Sequence, residues 1–198
     1  MNFLRFCISL TQNSHHQNFL KKFLCYNFAF NQIQRQKAMQ KLIIKSATKG
    51  DLKGILALVR ELAEYENLLH YMNCDEKAYE RAIFERNYAK ALVLEFDGQM
   101  IGYALYFYTF SSFLGRGGLW LEDLYIRPKF RKMGFGKAVF KYLGEICKSE
   151  NLGRLEWVCL HENELGKDFY AKLKAQDMND KWIMYRLEGA SLENLLNL

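Results

Sequence analysis

Acidic residues are missing from the first 38 residues of this 198-residue chain. The whole chain carries 28 basic and 22 acidic residues, a formal net charge of +6. Residues 39–198 hold 23 basic and 22 acidic residues, a net charge of +1. The positive charge is therefore local, and it does not indicate a nucleic-acid partner. The five basic residues of the first segment are Arg5, Lys21, Lys22, Arg35 and Lys37.

Long apolar runs are also missing. No run reaches 18 residues, so the sequence predicts no membrane-spanning helix and no membrane partner. The cysteines are few, odd in number and without a Cys-x-x-Cys pair, which favours reduced thiols in the cytoplasm over a disulfide framework. His161-Glu162 matches no zinc-binding spacing, so we expect no metal. The cysteines are Cys7, Cys25, Cys74, Cys147 and Cys159.

Residues 1–38 also lack a clear hydrophobic period. We therefore predict a poorly ordered, dispensable extension at 1–38 and one folded domain at 39–198. A mitochondrial presequence is an alternative, since the segment is basic and acid-poor, although it is not rich in arginine and serine. Another is an extension upstream of the true start, because Met39 directly precedes the first patterned segment. A chain that begins at Met39 should then fold and bind its ligands like the full chain.

Strand-like and helix-like patterns alternate from residue 41 onward. Thr48 lies three residues before Asp51, an approximate capping box for a helix that runs to about Glu66. Asp97-Gly98 separates two apolar runs and predicts a hairpin. The order is typical of a mixed α/β sheet, antiparallel early and with a late β–α–β crossover. The predicted strands are 42–44, 91–96, 100–110, 119–126, 155–160 and 182–187, and the helices are 48–66, 76–86, 134–150 and 164–173.

Residues 131–136 read Arg-Lys-Met-Gly-Phe-Gly and stand between an apolar strand and a helix with an apolar stripe. A P-loop is excluded, because Ala138 replaces its Ser or Thr and no glycine lies five residues before Gly136. A dinucleotide fingerprint is excluded, because Val139 replaces its third small residue. Two glycines before a helix leave its first N–H groups open to an anion. The segment therefore predicts a phosphate site, with an ordinary strand-to-helix turn as the alternative.

Three separated blocks of the sequence resemble one family. They read ELAEYE at 61–66, LWLEDLYIRPKFRKMGFG at 119–136 and HENELGKDFY at 161–170. They are similar to acetyl-CoA-dependent N-acetyltransferases of the GNAT superfamily, in the branch of the spermidine/spermine (diamine) and thialysine enzymes. The resemblance implies an α/β GNAT fold, with a mixed central sheet of about six to seven strands flanked by helices. It also implies a homodimer with Trp182 near the subunit contact.

The same resemblance implies a set of site residues. Tyr170 matches the tyrosine that protonates the departing CoA thiolate. The amine-binding positions are Tyr65, Glu66, Glu122 and Asp180. The acetyl-CoA positions are Leu124, Tyr125 and Ile126 for the pantetheine arm, Arg131, Lys132, Met133, Gly134, Phe135, Gly136 and Lys137 for the pyrophosphate, and Asn163, Glu164, Leu165, Gly166 and Tyr170 beyond them.

The chain departs from the family pattern near Tyr170. Lys174 stands four residues later, where the family usually has a glycine, so we expect a different turn there. The region between Asp177 and Trp182 is shorter than in the diamine enzymes, and the proline often found in the Asn-x-Pro block is absent.

Acetyl transfer requires a neutral amine. An alkylammonium of pKa about 10.4 is neutral in roughly one molecule in 2,500 at pH 7, a cost of about 4.6 kcal/mol. Glu122 is our candidate for binding the cation and relaying its proton through water, the alternative being a carboxylate paired with Lys or Arg. In a regular strand Asp123 points to the opposite face, so only one of the two should face the cleft. Glu66 ends a helix, where a carboxylate is unfavourable unless it awaits a cation; a solvated helix end is the alternative.

Residues and resemblance together predict an acetyl-CoA-dependent N-acetyltransferase. A primary amine of a small cationic substrate (a polyamine or diamine, or thialysine) would attack directly. Tyr170 follows Phe169 at helical spacing, which by itself is more typical of a core pair. The alternative functions are acetylation of a protein lysine or N-terminus, and a catalytically silent CoA-binding module. Acidic site residues fit a small cation better than a protein acceptor.

Overall fold

The computed structural model describes the backbone of residues 14–197 and the side chains of 23–197. The part of the predicted extension before residue 14 lies outside the described residues. The chain divides into two compact units, Met1–Trp157 and Val158–Leu198. The first contains the sheet and the long helices, and the second contains short helices.

The first unit alternates helices and strands. The Thr48–Asp51 capping box is present, since the Thr48 backbone N–H donates to Asp51 Oδ2 at 2.8 Å. Asp75 caps the third helix by accepting from the Ala78 N–H at 2.8 Å. The helices are α1 Ser14–Lys41, α2 Leu52–Tyr65, α3 Glu76–Glu80 with a π-helical turn Arg81–Glu85, and α4 Phe135–Ser149; the strands are β1 Leu42–Ser46, β2 Lys90–Phe96, β3 Gln99–Ser111, β4 Arg116–Ile126 and β5 Leu155–Glu156.

Within residues 14–197 the strands form one sheet in the order β1-β2-β3-β4-β5. The first three pairings are antiparallel, and β4 pairs parallel with β5 across α4. This confirms the mixed α/β sheet, but five strands are fewer than the expected six to seven. The pattern at 155–160 yields a strand only at Leu155–Glu156, and 182–187 forms none. A strand needs a neighbouring ladder as well as an apolar pattern, and 182–187 pairs with no described strand of this chain.

Two apolar clusters cover the two faces of the sheet. Leu92 and Leu94 belong to one cluster, whereas Ala91 and Val93 belong to the other. This split follows from the strand period of two, which sends successive side chains to opposite faces. Helix α4 covers the first face with Phe135, Val139 and Leu143, and α2 covers the second with Leu52, Ile55 and Leu58. Full burial of each Leu or Ile contributes about 1.5–3 kcal/mol.

The hairpin predicted at Asp97-Gly98 is confirmed. Both residues have positive φ, 49° and 75°, and they join the paired residues Phe96 and Gln99. Two successive positive φ angles belong to a turn whose twist matches that of the flanking strands, which explains the Asp-Gly sequence.

Helix α1 occupies most of the segment predicted to be poorly ordered. It runs unbroken over Ser14–Lys41 and contains no glycine or proline. Such a sequence is compatible with a helix but does not predict one, because its apolar residues do not form a stripe at helical spacing. Ala38 is only 5% exposed and belongs to the core cluster that contains Phe135. The end of α1 is thus part of the folded unit, while the division into 1–38 and 39–198 stays a prediction.

The second unit contains two helices, α5 Glu164–Lys172 and α6 Ala190–Glu193. Its segment 182–187 exposes several large apolar side chains, among them Trp182, which is 67% exposed. None of the helices in the described part of the chain has the length and apolar content to cross a bilayer.

Candidate active site

An acidic cavity lies in the first unit between the end of α2, the loop that follows it and strand β4. Its volume is about 430 Å³. Its described lining contains three carboxylates, Glu66, Glu122 and Asp123, and no basic side chain. Three like charges in one cavity repel one another, so the site is electrostatically complementary to a cation.

A bulge in β4 explains why both Glu122 and Asp123 line this cavity. Leu105 pairs with Asp123 and Tyr106 pairs with Leu121, so Glu122 has no partner residue in β3. An extra residue in one strand interrupts the alternation of side chains between faces. The expectation that only one of the two carboxylates would face the cleft is therefore wrong, because it assumed a regular strand.

Asp123 is the most perturbed carboxyl group of the cavity. The buried Tyr103 hydroxyl donates to Asp123 Oδ2 at 3.0 Å. Burial and, to a smaller extent, the charge of Glu122 raise the pKa of Asp123 to about 6, although the hydrogen bond from Tyr103 lowers it. Burial and the charge of Asp123 also raise the pKa of Glu66. A bound cation would relieve both effects, since it favours the ionised carboxylates.

Glu122, the catalytic candidate, is exposed on the edge of β4. The indole Nε1–H of Trp120 donates to Glu122 Oε2 at 2.9 Å. Among the side chains described for 23–197, no Lys or Arg forms an ion pair with Glu122. The carboxylate is thus oriented by a neutral donor, and it remains available to bind a cation.

Tyr65 contacts the phosphate-loop arginine rather than the acidic cavity. The guanidinium carbon of Arg131 lies 4.5 Å from the Tyr65 ring centroid and 5.6 Å from that of Tyr125. Arg131 Nε also donates to the Ile126 carbonyl at 2.8 Å. These contacts hold Arg131 against the start of the loop and join the end of α2 to it. Tyr65 is absent from the described lining of the cavity.

A charged pair that the sequence did not predict positions the two sides of the cavity. Arg127 NH2 and Nε lie 2.7 and 2.9 Å from Glu61 Oε1, and Arg127 NH1 donates to the Met100 carbonyl at 3.0 Å. Hydrogen bonding to Arg127 lowers the pKa of Glu61. The pair joins α2, which carries Glu66 at its end, to the end of β4. Glu61 lies within the ELAEYE block, which was the available signal for it.

The predicted phosphate loop has the backbone of an anion site. Lys132 and Gly134 both have positive φ, 64° and 97°, and Gly134 is the N-cap of α4. The first hydrogen bond of the helix runs from the Ala138 N–H to the Gly134 carbonyl at 3.1 Å. The N–H groups of the residues between them have no acceptor within the helix and point beyond its start. This end of α4 can therefore bind a phosphate, with the helix dipole adding to the attraction.

Strand β4 also presents a free edge near this loop. It pairs with β5 only at Leu119–Leu155 and Trp120–Glu156 among the described residues. The later part of β4, which includes Leu124–Ile126, therefore has a strand neighbour on one side only. An unpaired strand edge can bind an extended ligand through its backbone groups.

The remaining predicted site residues lie in the second unit. Asn163 caps α5 by accepting from the Gly166 N–H at 2.9 Å. A side chain on Gly166 would come within 3.0 Å of Asn163 and Cys159, which explains the glycine. Tyr170 lies on α5, and its ring centroid is 5.5 Å from that of Phe169. Glu164 and Leu165 form the first turn, Glu164 in an ion pair with Lys167, and Asp180 is exposed in a loop.

Lys174 takes the conformation that glycine would take at the end of α5. Its φ is 60°, its N–H bonds to the Ala171 carbonyl at 3.0 Å, and the Ala175 N–H bonds to the Tyr170 carbonyl at 3.1 Å. These two bonds are the pattern of a Schellman motif. The expected change of turn is therefore wrong. The backbone turn is glycine-like, and lysine bears a cost of about 1–2 kcal/mol for the left-handed conformation.

Within the described residues no group of three or more His, Cys, Asp or Glu side chains could hold a metal ion. The expectation of a metal-free reaction stays a prediction.

The first unit thus combines a mixed α/β sheet, a helix start suited to an anion and a carboxylate-lined cavity. Residues 56–174, more than half of the chain, match the acetyltransferase (GNAT) family. The chain therefore belongs to the GNAT family of acetyltransferases.

Individual relatives agree with this assignment. The chain is 33% identical over 165 residues to a thialysine N-epsilon-acetyltransferase of Bos taurus, covering 78% of this chain and 96% of that protein. It is 27% identical over 168 residues to a spermidine/spermine N(1)-acetyltransferase-like protein 1 of Homo sapiens, covering 80% of this chain and 24% of that protein. A solved integron cassette protein from the mobile metagenome of V. cholerae has the same fold, with a TM-score of 0.68 at 23% identity, covering 80% and 99% of the two chains.

Proposed function

We propose that the chain is an acetyl-CoA-dependent N-acetyltransferase for a primary amine of a small cationic substrate, a polyamine or diamine, or thialysine. The observation that carries the proposal is the acidic cavity, which combines three carboxylates with no basic side chain in its described lining. A polyamine or an aminoalkyl amino acid brings an ammonium group that such a cavity attracts. The names of the relatives support the same substrate classes.

Two carboxylates of the acidic cavity, Glu122 and Asp123, are assigned different roles toward the amine. Glu122 is exposed, oriented by Trp120 and able to accept the amine proton through a water molecule. Asp123 stands next to it, and its pKa, raised to about 6, leaves it mostly ionised at pH 7 and so able to bind a cation. We assign the deprotonation to Glu122 and assign to Asp123, with Glu66, the binding of the cation. Tyr65 packs on Arg131 next to Glu66, the following residue in the chain, and we propose Tyr65 and Asp180 as further contacts of the amine.

Acetyl-CoA supplies the acetyl group as a reactive thioester. The residues present fit it. The free edge at Leu124–Ile126 can pair with the amide groups of the pantetheine arm, and the start of α4 behind the loop 131–137 can hold the pyrophosphate. Residues 163–166 are assigned further contacts with acetyl-CoA. Tyr170 is assigned the proton donation to the departing thiolate, a role typically contributing about 10²–10⁴-fold.

The location and assembly of the protein are proposals as well. Among the described cysteines, Cys25, Cys74 and Cys147 are free thiols, which supports a reducing compartment such as the cytoplasm. The apolar side chains exposed at 182–187 support a homodimer in which Trp182 lies near the contact. Sedimentation at micromolar concentration checks the dimer; a monomer there would contradict it.

A thiol-release assay with acetyl-CoA tests the function. The acceptors are spermidine, putrescine, thialysine and a lysine-containing peptide. We expect turnover with at least one small amine and little with the peptide, because the cavity is small and acidic. Tyr170→Phe should lower kcat while the affinity for acetyl-CoA remains near that of the wild type. Turnover confined to the peptide would favour the protein acetyltransferase, and binding of CoA without turnover of any acceptor would favour the silent module.

A further inference from the structure

A second cavity, with the opposite charge, lies in the first unit between the end of α1 and the loop after β4. Its volume is about 590 Å³. Its described lining has no acidic side chain and five basic ones: Arg35, Lys37, Lys41, Arg131 and Lys132. Asn31 and Gln34 add hydrogen-bonding groups on the same helix. We refer to it as the basic cavity.

The sheet topology brings these two parts of the chain together. The first residue of β1, Leu42, pairs with Phe96 at the end of β2, which in turn pairs with Gln99 at the start of β3. Gly102 in β3 pairs with Ile126 at the end of β4. The residues before β1 and those after β4 therefore emerge at the same end of the sheet.

The end of α1 packs directly on that loop. Ala38 is buried in the cluster that contains Phe135, the first residue of α4. Met39 Sδ lies 3.9 Å from the position that a Cβ on Gly134 would occupy. The last turns of α1 are thus anchored beside the start of α4, while the polar side chains of the same turns point into the basic cavity.

Four of the five cations lack an ion-pair partner among residues 23–197. Lys41 pairs with Asp97 at 2.9 Å, and Arg131 is held by the Ile126 carbonyl and the Tyr65 ring. Within residues 23–197, Arg35, Lys37 and Lys132 form no ion pair. Like charges gathered in one cavity repel one another, and an anion with more than one negative charge removes that repulsion.

We propose that the basic cavity binds the 3′-phosphate at the nucleotide end of acetyl-CoA, with Arg35 and Lys37 of α1 as its ligands. This inference rests on the proposed use of acetyl-CoA. The start of α4 holds one set of phosphates, the pyrophosphate, and the basic cavity opens on the same loop through Lys132 and Met133. CoA carries one further phosphate, a dianion on its ribose, and the cavity supplies the matching charge. Helix α1 then belongs to the cofactor site, and the proposal replaces the expectation from sequence that residues 1–38 are dispensable for ligand binding.

Calorimetric titration of the full chain with CoA and with 3′-dephospho-CoA tests the proposal. The variant is Arg35→Gln/Lys37→Gln; both residues are exposed on a helix, and glutamine is a good helix former, so the fold should be unaffected. We expect the variant to weaken CoA binding by about ten-fold and dephospho-CoA binding by less than about two-fold, since two exposed charge contacts are lost only where the 3′-phosphate is present. The control Lys141→Gln/Lys148→Gln removes the same charge from exposed positions further along α4 and should change neither affinity.

The titrations distinguish failure of the 3′-phosphate assignment from failure of the proposed function. An equal loss of affinity for both ligands, or no loss for either, overturns the assignment of the 3′-phosphate to the basic cavity. Failure of the wild-type chain to bind CoA at all would overturn the proposed function instead.

Discussion

The acidic and the basic cavity differ in sign, yet both are built on β4 and the loop that follows it. Glu122 and Asp123 of β4 supply two charges of the acidic cavity, and Arg131 and Lys132 of the loop supply two of the basic one. Fewer than ten residues of chain separate the two pairs. One strand and its loop can therefore line two cavities of opposite charge, because helix α2 adds a carboxylate to one cavity and helix α1 adds basic side chains to the other.

The two helices that complete the cavities, α2 and α1, are held in place by different contacts. The third acidic charge comes from Glu66 at the end of α2, which the Glu61–Arg127 pair ties to β4. The additional basic charges come from α1, whose end is fixed by Ala38 and by Met39. Asp123 and Glu66 are partly buried, and burial together with the charge of a neighbouring carboxylate raises the pKa of each, whereas Arg35 and Lys37 are exposed. Changes in the acidic cavity should therefore have the larger effects.

The largest expected effect separates the two cavities by kinetics. Glu122→Gln should lower kcat for the amine by about 10²–10⁴-fold, because it removes the group that accepts the amine proton. The KM for acetyl-CoA should change little, since Glu122 does not line the basic cavity. Steady-state kinetics with both substrates varied measures this. A kcat within two-fold of wild type would remove Glu122 from the mechanism and leave Asp123 as the remaining candidate.

A second prediction uses pH to separate the buried carboxyl from the exposed ones. Because the pKa of Asp123 is raised to about 6, its stabilising contribution is complete below the ordinary pKa of about 3.9 and is lost as pH rises through about 6. Asp123→Asn keeps an oxygen acceptor for the Tyr103 hydroxyl but cannot ionise. It should raise the Tm at pH 7–8 and leave it nearly unchanged near pH 4.

Thermal unfolding of both proteins across this pH range is the measurement. A Tm that falls at pH 7–8 on substitution would show that the ionised carboxylate stabilises the fold, contrary to its raised pKa. Arg35→Gln/Lys37→Gln is the matched comparison from the basic cavity, and its Tm should show no such pH dependence.

The smallest effect concerns the choice among amines. Glu66→Gln should raise the KM for a diamine several-fold and that for a monoamine of equal length by less, because Glu66 would hold the distal ammonium. Added salt should reduce the wild-type preference for the diamine, since it screens the attraction. Kinetics with two amines at two salt concentrations gives the result. Equal rises in KM for both amines would leave Glu66 as a solvated helix end.

Much of the fold could be predicted from local pattern. The apolar runs of β2 and β3, the Asp97-Gly98 turn and Gly134 before α4 each have a conformation that residue types within a few positions predict. The strand at 182–187 could not be rejected in the same way, because its apolar run is typical of a strand and only the missing neighbour decides against it. Lys174 shows the reverse case, where the residue type argued against a turn that the backbone nevertheless makes.

The sequence by itself determined the acetyltransferase family and supplied the carboxylates, and it predicted the phosphate loop, since these depend on residue types at short spacings. Only the tertiary structure decided how the charges are grouped. A one-residue bulge at Glu122, set by pairing with β3, brings Asp123 into the acidic cavity, and the antiparallel order of the strands brings α1 to the phosphate loop. Both results depend on pairing between residues far apart in the chain, and local propensity carries no information about such pairing.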